Sequence, residues 1–473
     1  MKNDFSGNSF RKALYDKYER YQEKSLSPKR IIHSEVIKLT EVIKNKKIFN
    51  IEKLGKSIEG REINLITAGT GEIKILAWTQ MHGDEPTATA AIFDVLNFLC
   101  ADDEFNDFRR SLLSKIKLFV IPMLNPDGAE LHQRENILNV DLNRDAASKN
   151  MPEAKLLLDA AIKIKPQFGF NLHDQNSYYT AGRTNKTAVI SLLAPPFNYN
   201  KEVNEARIRS MKVTAFIYDV LSDFIPGNIA RYNDDYEPRA FGDNFTNMGI
   251  SSILIESGFL KGDENKNEIR KLNFTALISA FQNISDKNYE QVDYQKYFEI
   301  PENESLLFDL LLRNLSLKHG EQKFKIDIGI KREKCFDSST NEFYFDGKID
   351  QLGDLSNYFG IDERNMDGME VALPKISESK FDFDEMEKAD INLFHAEGIL
   401  YLRLNYEPNR VSFIKLPINL KNTLKKFDPK IKADEPANLL IFQNERIKYL
   451  IINGFIKELS AKNNPEHNGL VID

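Results

Sequence analysis

Four apolar runs in this chain each lead directly into a tight turn or into a residue suited to metal binding or acid–base chemistry. Several of the runs are apolar almost throughout, as strands covered by helices on both faces are. The runs and their end points are Ile73–Gln80 before His82, Ile116–Met123 before Asn125-Pro126-Asp127-Gly128, Phe168–Leu172 before His173, and Ile250–Ile255 before Glu256. This pattern predicts an α/β/α layer architecture. Ligands in open α/β sheets collect beyond the carboxyl ends of the strands, so we expect these end points to meet there.

Helical patterns flank the apolar runs. A charged segment with apolar contacts at helical spacing covers residues 9–46, and further helices are expected at Pro86–Cys100 and Asn200–Phe224. We therefore predict that residues 1–290 form one α/β domain that includes the amino-terminal helical segment.

The length of 473 residues predicts more than one domain. Residues 291–304 are rich in Tyr and then in Pro, Asn and Glu, which is typical of a linker. From 305 to 473 several segments favour a smaller β-rich accessory domain, namely Phe324–Ile330, Ile399–Asn405, Asn438–Phe442 and Ile447–Ile452. We interpret this domain as a packing or substrate-positioning appendage, with a binding or dimerisation module as the alternative.

Charge and composition exclude several classes of protein. The net charge of −7 and the absence of a broad basic segment argue against nucleic-acid binding. The sequence contains no run of about 18 apolar residues, so it does not predict a membrane span. The two cysteines, Cys100 and Cys335, cannot provide a disulfide framework. The polar segment Met1–Gln22 does not resemble a signal peptide, so a cytoplasmic protein is the default, and a periplasmic or secreted protein is the alternative if the chain is a mature form.

The histidines at two of these strand ends suggest a metal site. In His82-Gly83-Asp84-Glu85 an imidazole and a carboxylate lie three residues apart, and Gly83 lets the backbone turn between them. A His-x-x-Glu pair alone is a weak signal, because a glutamate at a helix start beside a satisfied histidine has the same sequence. Catalytic zinc needs three protein ligands and one open position, so a distant third ligand is required, and His173 is the best candidate.

An ordered set of short motifs resembles the zinc carboxypeptidase family, peptidase family M14, between about Leu54 and Phe259. The motifs are Ser57-Ile58-Glu59-Gly60-Arg61, His82-Gly83-Asp84-Glu85, Asn125-Pro126-Asp127-Gly128, Asp141-Leu142-Asn143-Arg144, His173 and Glu256. The short stretch from Gly128 to Asp141 resembles bacterial and cytosolic branches of the family. The resemblance implies a mixed, mostly buried sheet and a single Zn²⁺ held by His82, Glu85 and His173.

The resemblance also implies roles for other residues. Glu256 resembles the general base that activates a zinc-bound water, and Asp141 the carboxylate that orients a metal-bound histidine. Arg134 resembles the arginine that stabilises the oxyanion. Asn143 and Arg144 resemble the clamp for a terminal carboxylate, and Arg61 an additional substrate-side arginine. Ordinary surface charges are the less favoured alternative for Arg134 and Arg61.

One further residue of the family, its mobile tyrosine, has two candidates here. Tyr236 lies at about the expected distance before Glu256, and Tyr232 is its competitor. The segment Tyr236–Met248 is expected to select the terminal side chain, through Glu237, Arg239, Phe241 and Gly242.

These features predict a metallocarboxypeptidase that hydrolyses the carboxyl-terminal bond of a peptide with a free terminal carboxylate. Two alternatives remain open: a zinc deacylase or amidase that acts on a small amide, and a non-catalytic binding protein on a peptidase scaffold. The presence of Glu256 and all three candidate ligands argues against the non-catalytic alternative. The side-chain preference, the oligomeric state and any need for proteolytic activation are left open.

Overall fold

The computed structural model describes residues 8–382, 385–386, 388–405, 412–421, 430–461 and 467–472. The chain forms two compact units, Met1–Ser305 and Leu306–Asp473. Residues 1–7, at the start of the expected first domain, lie outside the described ranges. No helix in the described ranges combines the length and apolar character that crossing a membrane requires.

A mixed eight-stranded sheet forms the centre of the first unit. Its strands are β1 (Phe49–Lys56), β2 (Glu62–Ala68), β3 (Ile73–Trp78), β4 (Ile116–Ile121), β5 (Phe168–Asp174), β7 (Ile190–Leu193), β8 (Ile229–Arg231) and β9 (Ser251–Ser257). The short strand β6 (Tyr179–Ala181) pairs outside this sheet with β10 (Asn303–Ser305). The spatial order is β1-β2-β4-β3-β5-β9-β7-β8. The four strands β4, β3, β5 and β9 run parallel to one another, so their carboxyl ends share one edge.

Helices cover both faces of this sheet, which confirms the α/β/α sandwich. They are α1 (Asn8–Asp16), α2 (His33–Lys44), α3 (Thr87–Cys100), α4 (Asn106–Lys115), α5 (Pro126–Leu131), α6 (Pro152–Ile164), α7 (Glu205–Ser222), α8 (Phe241–Asn247) and α9 (Asn267–Ser285). Alternate strand residues enter two separate cores, because successive side chains point to opposite faces. Ile75 and Ala77 pack with α3 and α9, whereas Leu76 and Trp78 pack with α6 and α8.

The amino-terminal segment is less continuously helical than the sequence predicts. Residues between α1 and α2 contain a 3-10 turn at Tyr18–Arg20 rather than a helix joining them. Phe10, Leu14 and Tyr21 are nevertheless buried in the core around α3 and α9. The segment is therefore an integral layer of the first unit.

The expected linker at residues 291–304 is part of the first unit. Tyr297 is buried against Met211 and Ile300, and its hydroxyl accepts a hydrogen bond from the Ala194 backbone at 3.2 Å. The following strand, β10, pairs with β6. The Tyr-rich composition that resembles a linker instead supplies aromatic side chains for burial.

The second unit is β-rich, as predicted. Its strands are β11 (Leu307–His319), β12 (Gln322–Asp337), β13 (Glu342–Gly353), β14 (Phe359–Asn365), β15 (Glu370–Ala372), β16 (Lys375–Phe381), β17 (Ile399–Leu404), β18 (Phe413–Ile414), β19 (Asn419–Lys421), β20 (Leu439–Gln443), β21 (Arg446–Ile452), β22 (Phe455–Glu458) and β23 (Gly469–Ile472). They form an eight-stranded and a five-stranded sheet, and the helix α10 (Ile391–Ala396) precedes β17. The two cysteines, Cys100 in the first unit and Cys335 in the second, are free thiols.

Candidate active site

The loop after β3 places His82 and Glu85 on the same side of the sheet edge. Gln80 takes a left-handed backbone conformation with φ of 46°, and its side-chain amide donates to the Gly83 carbonyl at 3.0 Å. A side chain at Gly83 would have its Cβ 2.0 Å from the Gly128 backbone. The absence of a Cβ therefore lets this loop lie directly against the turn after β4, and Glu85 follows just before α3.

Three side chains that can each bind a metal ion, those of His82, Glu85 and His173, converge at the carboxyl edge of the sheet. We call these three residues the donor cluster. The Glu85 oxygens lie 2.7 Å from the Nδ1 atom of His82 and 2.7 Å from that of His173, and the two Nδ1 atoms are 3.1 Å apart. All three residues are buried. In the described part of the chain, this is the one group of three His, Cys, Asp or Glu residues with donor atoms close enough to share a metal ion.

A carboxylate and an arginine surround His82 on its other side. Asp141 Oδ1 accepts from His82 Nε2 at 3.2 Å, and Asp141 Oδ2 accepts from Arg134 Nε and Nη2 at 3.1 and 3.0 Å. Arg134 Nη1 also lies 3.1 Å from His82 Nδ1 and 3.4 Å from Glu85 Oε1. Asp141 thus orients the imidazole, and Arg134 brings a positive charge to the edge of the donor cluster.

The electrostatics of the cluster follow from burial and from one shared carboxylate. Burial disfavours the charged imidazole of His82, but the negative charge of Glu85 and the hydrogen bonds to Asp141 and Glu85 together outweigh this effect and raise the pKa of His82 to about 9. Burial lowers the pKa of His173, because one carboxylate cannot compensate for two buried imidazolium charges. Burial opposes ionisation of Glu85, yet the two imidazoles hold its pKa below the usual range. The cluster is therefore arranged to share positive charge around an ionised carboxylate.

Glu256 lies beside the cluster on the neighbouring strand. The register of β5 and β9 pairs His173 directly with Glu256. Burial, together with the nearby charges of Glu85 and Asp174, raises the pKa of the Glu256 carboxyl well above its ordinary value. The Asp174 carboxylate accepts hydrogen bonds from Thr87 Oγ1 at 2.5 Å and Lys266 Nζ at 2.9 Å. A positive charge placed at the donor cluster would favour the ionised form of Glu256.

These residues line a cavity of about 280 Å³. The expected site residues in its wall are His82, Glu85, Arg134, Asn143, Arg144, His173 and Glu256. From the segment expected to select a side chain, the wall contains Glu237, Ala240, Gly242 and Asp243, whereas Arg239 and Phe241 are not part of it. Burial raises the pKa of Asp243 to about 7. The volume suits a small ligand or one end of a chain.

Asn143 and Arg144 occupy different positions in the cavity wall. The Asn143 side-chain oxygen accepts from the backbone of Phe241 at 3.0 Å, so it anchors the start of α8. The Arg144 guanidinium lies 3.3 Å from Glu237 Oε2 and donates to the Asn143 carbonyl at 2.9 Å. Arg144 remains about two-fifths exposed, at 38% of its side chain, and is accessible to a ligand.

Arg61 is not part of the cavity wall in the described residues. Its guanidinium donates to Asp127 Oδ1 at 2.7 Å, and Ser57 Oγ and the Glu59 backbone donate to the same carboxylate at 2.7 and 3.0 Å. The Ser57–Arg61 motif therefore stabilises the turn that contains the buried Asp127. Arg61 therefore lies away from the expected substrate-side position. Its guanidinium instead pairs with the Asp127 carboxylate and neutralises its charge.

Of the two candidate tyrosines, Tyr232 lines the cavity and Tyr236 does not. Tyr236 packs edge-to-face against Tyr199, with ring centroids 4.9 Å apart. Tyr232 follows β8 directly and lies near Tyr179, at 6.1 Å between ring centroids. Burial, with the nearby Glu256 charge, raises the pKa of the Tyr232 hydroxyl. The three-residue strand before Tyr232 is the signal that distinguishes it, because other site residues also lie at or just after strand ends.

Tyr179 and Asp174 are two cavity residues that the sequence motifs did not indicate. Asp174 is adjacent to His173 at the end of β5, so its position was available from the strand-end pattern. Tyr179 lies on β6, a three-residue strand without a distinctive pattern. Its place in the cavity depends on the pairing of β6 with β10, which is distant in sequence.

Part of the chain is similar in sequence to known carboxypeptidases. Residues 38–188 match the sequence model of the family described as zinc carboxypeptidase. Carboxypeptidase SOL1 of Arabidopsis thaliana is 30% identical over 112 residues, which cover 22% of this chain and 23% of that protein. Carboxypeptidase 2 of Trichophyton rubrum is 28% identical over 138 residues, covering 27% and 24%. The matched part thus spans about a quarter of each relative's length.

A metallo-carboxypeptidase from Burkholderia cenocepacia of known crystal structure has a TM-score of 0.45 and 18% identity to this chain, covering 55% of this chain and 70% of that one. The matched family region contains the three converging donors, together with Asp141 and Arg144, whereas Glu256 lies beyond it. Residues 38–188 are thus similar to the zinc carboxypeptidase family.

Proposed function

We propose that the chain is a zinc-dependent metallocarboxypeptidase that hydrolyses the last peptide bond of a substrate with a free terminal carboxylate. One observation carries the proposal: a buried His82–Glu85–His173 donor cluster and the Glu256 carboxyl lie on adjacent strand ends in the wall of a cavity that also contains two arginines.

The donor set fits zinc. Two imidazole nitrogens and one carboxylate are the ligands of many catalytic zinc sites, which keep one position open. Both histidines turn Nδ1 to the shared centre, and Asp141 accepts the opposite nitrogen of His82, as an orienting carboxylate does. A zinc ion bound there would polarise a substrate carbonyl and make a water molecule more acidic.

Each residue then has a distinct task. Glu256 accepts a proton from the attacking water and delivers it to the departing amine, because its carboxyl lies beside the cluster. Arg134 stabilises the negative charge that develops on the carbonyl oxygen, because its guanidinium reaches the cluster edge. Arg144 binds the terminal carboxylate of the substrate, and Tyr232 provides a hydroxyl in the same cavity.

A matched panel of peptides tests the proposal. Zinc-loaded and zinc-stripped protein would be assayed with peptides that carry a free or an amidated carboxyl terminus, and with N-acyl amino acids. We expect release of the terminal amino acid only with bound zinc, and a loss of about tenfold or more on amidation, which removes a charged hydrogen bond. Equal hydrolysis of free and amidated ends would favour the deacylase alternative, and no zinc-dependent hydrolysis would contradict both enzymes.

Two variants separate binding of the terminal carboxylate from general damage. Arg144→Gln is expected to abolish the preference for a free carboxylate, because the guanidinium that pairs with it is lost. Arg183→Gln is the control, since Arg183 is exposed, pairs with Glu304 at 3.1 Å and lies outside the cavity wall of the described residues. The control is expected to keep the wild-type preference.

A further inference from the structure

Arg144, the residue proposed to bind the substrate carboxylate, already has a carboxylate partner within the chain. Glu237 Oε2 lies 3.3 Å from Arg144 Nε, and both residues line the cavity. An arginine offers two edges for a carboxylate to bind with two hydrogen bonds, and each edge uses a fixed pair of nitrogens. Glu237 lies on the Nε edge, so it restricts a ligand to the remaining nitrogens.

Glu237 is held in this position by two further residues. Arg239 donates from Nε to Oε1 at 2.9 Å, from Nη2 to Oε2 at 2.7 Å, and from its backbone to Oε1 at 3.1 Å. The Glu237 backbone donates to Asp243 Oδ1 at 3.0 Å. The hydrogen bonds from Arg239, together with the charge of Arg144, lower the pKa of Glu237 to about 2. Glu237 is therefore a fixed negative charge at any working pH of the protein.

One of the two remaining guanidinium nitrogens of Arg144 also has a hydrogen-bond partner within the chain. Arg144 Nη1 donates to the Asn143 carbonyl at 2.9 Å. A ligand carboxylate must then approach the Nη1 and Nη2 edge while Glu237 remains close to the same guanidinium. The two negative charges repel each other, and they divide the attraction of one positive charge.

We propose that Glu237 is a specificity-determining residue that competes with the terminal carboxylate of the substrate for Arg144. The inference rests on the proposed function, because it takes Arg144 as the residue that binds this carboxylate. Arg239 acts as a positioning residue, since it keeps Glu237 oriented and neutralises part of its charge. The competition weakens binding of every free carboxylate and leaves neutral amides unaffected.

Equilibrium binding measures the competition without turnover. The probes are N-benzoylglycine, which carries a free carboxylate, and N-benzoylglycinamide, which does not, titrated by calorimetry into the zinc-loaded full chain. Glu237→Gln is expected to bind N-benzoylglycine about five- to tenfold more tightly than wild type and to bind the amide within about twofold, as removal of a nearby like charge predicts. The advantage should shrink at high salt, because Arg144 and Glu237 are both partly exposed.

Two further variants sharpen the test. Arg239→Gln should weaken binding of N-benzoylglycine, because Glu237 then has Arg144 as its main partner, and adding Glu237→Gln should reverse that loss. Glu304→Gln is the matched control, since Glu304 pairs with Arg183 outside the cavity wall. Unchanged binding of the amide reports that each variant is folded.

The outcomes separate this inference from the function on which it rests. If wild type prefers the acid over the amide but Glu237→Gln binds the acid no more tightly, Glu237 orients Arg144 or is inert, and the inference is overturned alone. If no variant distinguishes the acid from the amide, Arg144 does not bind a terminal carboxylate, and the inference is overturned together with the proposed function.

Discussion

Glu256 and His173 are direct neighbours on parallel strands, paired in register at the carboxyl ends of β9 and β5. Their spacing is therefore set by the backbone ladder of the sheet rather than by flexible loops. In the proposed mechanism, a proton-accepting carboxyl and a metal ligand held in this way need little rearrangement when substrate binds, which is the arrangement that catalysis favours.

Replacing the carboxyl of Glu256 should remove catalysis without removing the metal. Glu256→Gln keeps the size of the side chain but cannot accept a proton, so kcat should fall by about 10²- to 10⁴-fold. Zinc content, measured by elemental analysis, should stay at the wild-type level. Glu264→Gln, at an exposed position in the loop before α9, serves as the control. Substantial activity in Glu256→Gln would remove Glu256 from the mechanism.

Zinc should stabilise the first unit through His173. Ligand binding to the folded state alone adds about 2.7 kcal/mol at a concentration of 100 Kd, which corresponds to a rise in Tm of several degrees. Trp78 is the single tryptophan and is fully buried in the first unit, so its fluorescence follows the unfolding of that unit. His173→Ala should lose the zinc-dependent rise. A variant that keeps the full rise would show that zinc binds elsewhere.

Asp141 should raise the zinc affinity of the site although it is not itself a proposed metal ligand. Asp141→Asn weakens the contact with His82 Nε2 and the two hydrogen bonds from Arg134, so zinc affinity should fall by about 10- to 100-fold. Competition with a chelator of known affinity measures this change. Asp159→Asn on α6, at an exposed position, should leave the affinity unchanged. Wild-type affinity in Asp141→Asn would reduce Asp141 to a partner of Arg134.

The two candidate tyrosines should behave differently in steady-state kinetics. Tyr232→Phe removes a hydroxyl from the cavity and should lower kcat/KM by about tenfold, the value of one hydrogen bond. Tyr236→Phe should change kcat/KM by less than about twofold, because Tyr236 packs on Tyr199 outside the cavity wall of the described residues. The reverse ranking would restore Tyr236 as the functional residue.

Stability of the second unit should depend on pH through His395. The residue is fully buried, its Nε2 contacts the Pro417 carbonyl at 2.9 Å, and Lys457 lies 3.0 Å from its Nδ1. Burial, reinforced by the Lys457 charge, lowers the pKa of His395 to about 4, below the unfolded value of about 6.5. Between these values the unfolded chain binds the proton and the folded chain does not, so stability falls as the pH drops from about 6.5 to about 4.

The loss of stability approaches about 3 kcal/mol at the acidic end of that window. Guanidinium denaturation followed by circular dichroism, from pH 4 to pH 7, measures it. His395→Gln should flatten the pH dependence over this window, whereas His319→Gln at an exposed strand end should not. Parallel curves for wild type and His395→Gln would disprove the role of His395.

The convergence of His82, His173 and Glu256 was predictable because each of them follows a strong local pattern. His82, His173 and Glu256 come at the ends of apolar runs, and parallel strands bring such ends to one edge. The structure places His173 and Glu256 within the last residues of their strands rather than after them. That difference matters, because only residues within the ladder have a spacing determined by register.

Other features depended on contacts that sequence spacing does not encode. Arg61 was expected near the substrate, but its guanidinium pairs with the buried Asp127 of a turn more than sixty residues away. Tyr236 has the family spacing to Glu256, yet the direction of a side chain within a loop depends on its neighbours, here Tyr199. Glu237 was expected to act on a substrate side chain, and its pairing with Arg144 appears only in three dimensions.

The segment after α9 also affects how far the first unit can be truncated without loss of activity. The Tyr297 hydroxyl holds the Ala194 backbone, and the next residue, Pro195, lines the cavity. A recombinant fragment that stops at residue 290 would retain every residue proposed to touch substrate, yet it would lack the support behind that wall. A fragment that ends at residue 305 keeps the hydrogen bond between Tyr297 and Ala194. The fragment that ends at residue 290 should therefore be the less active of the two, even though it contains every residue proposed to react.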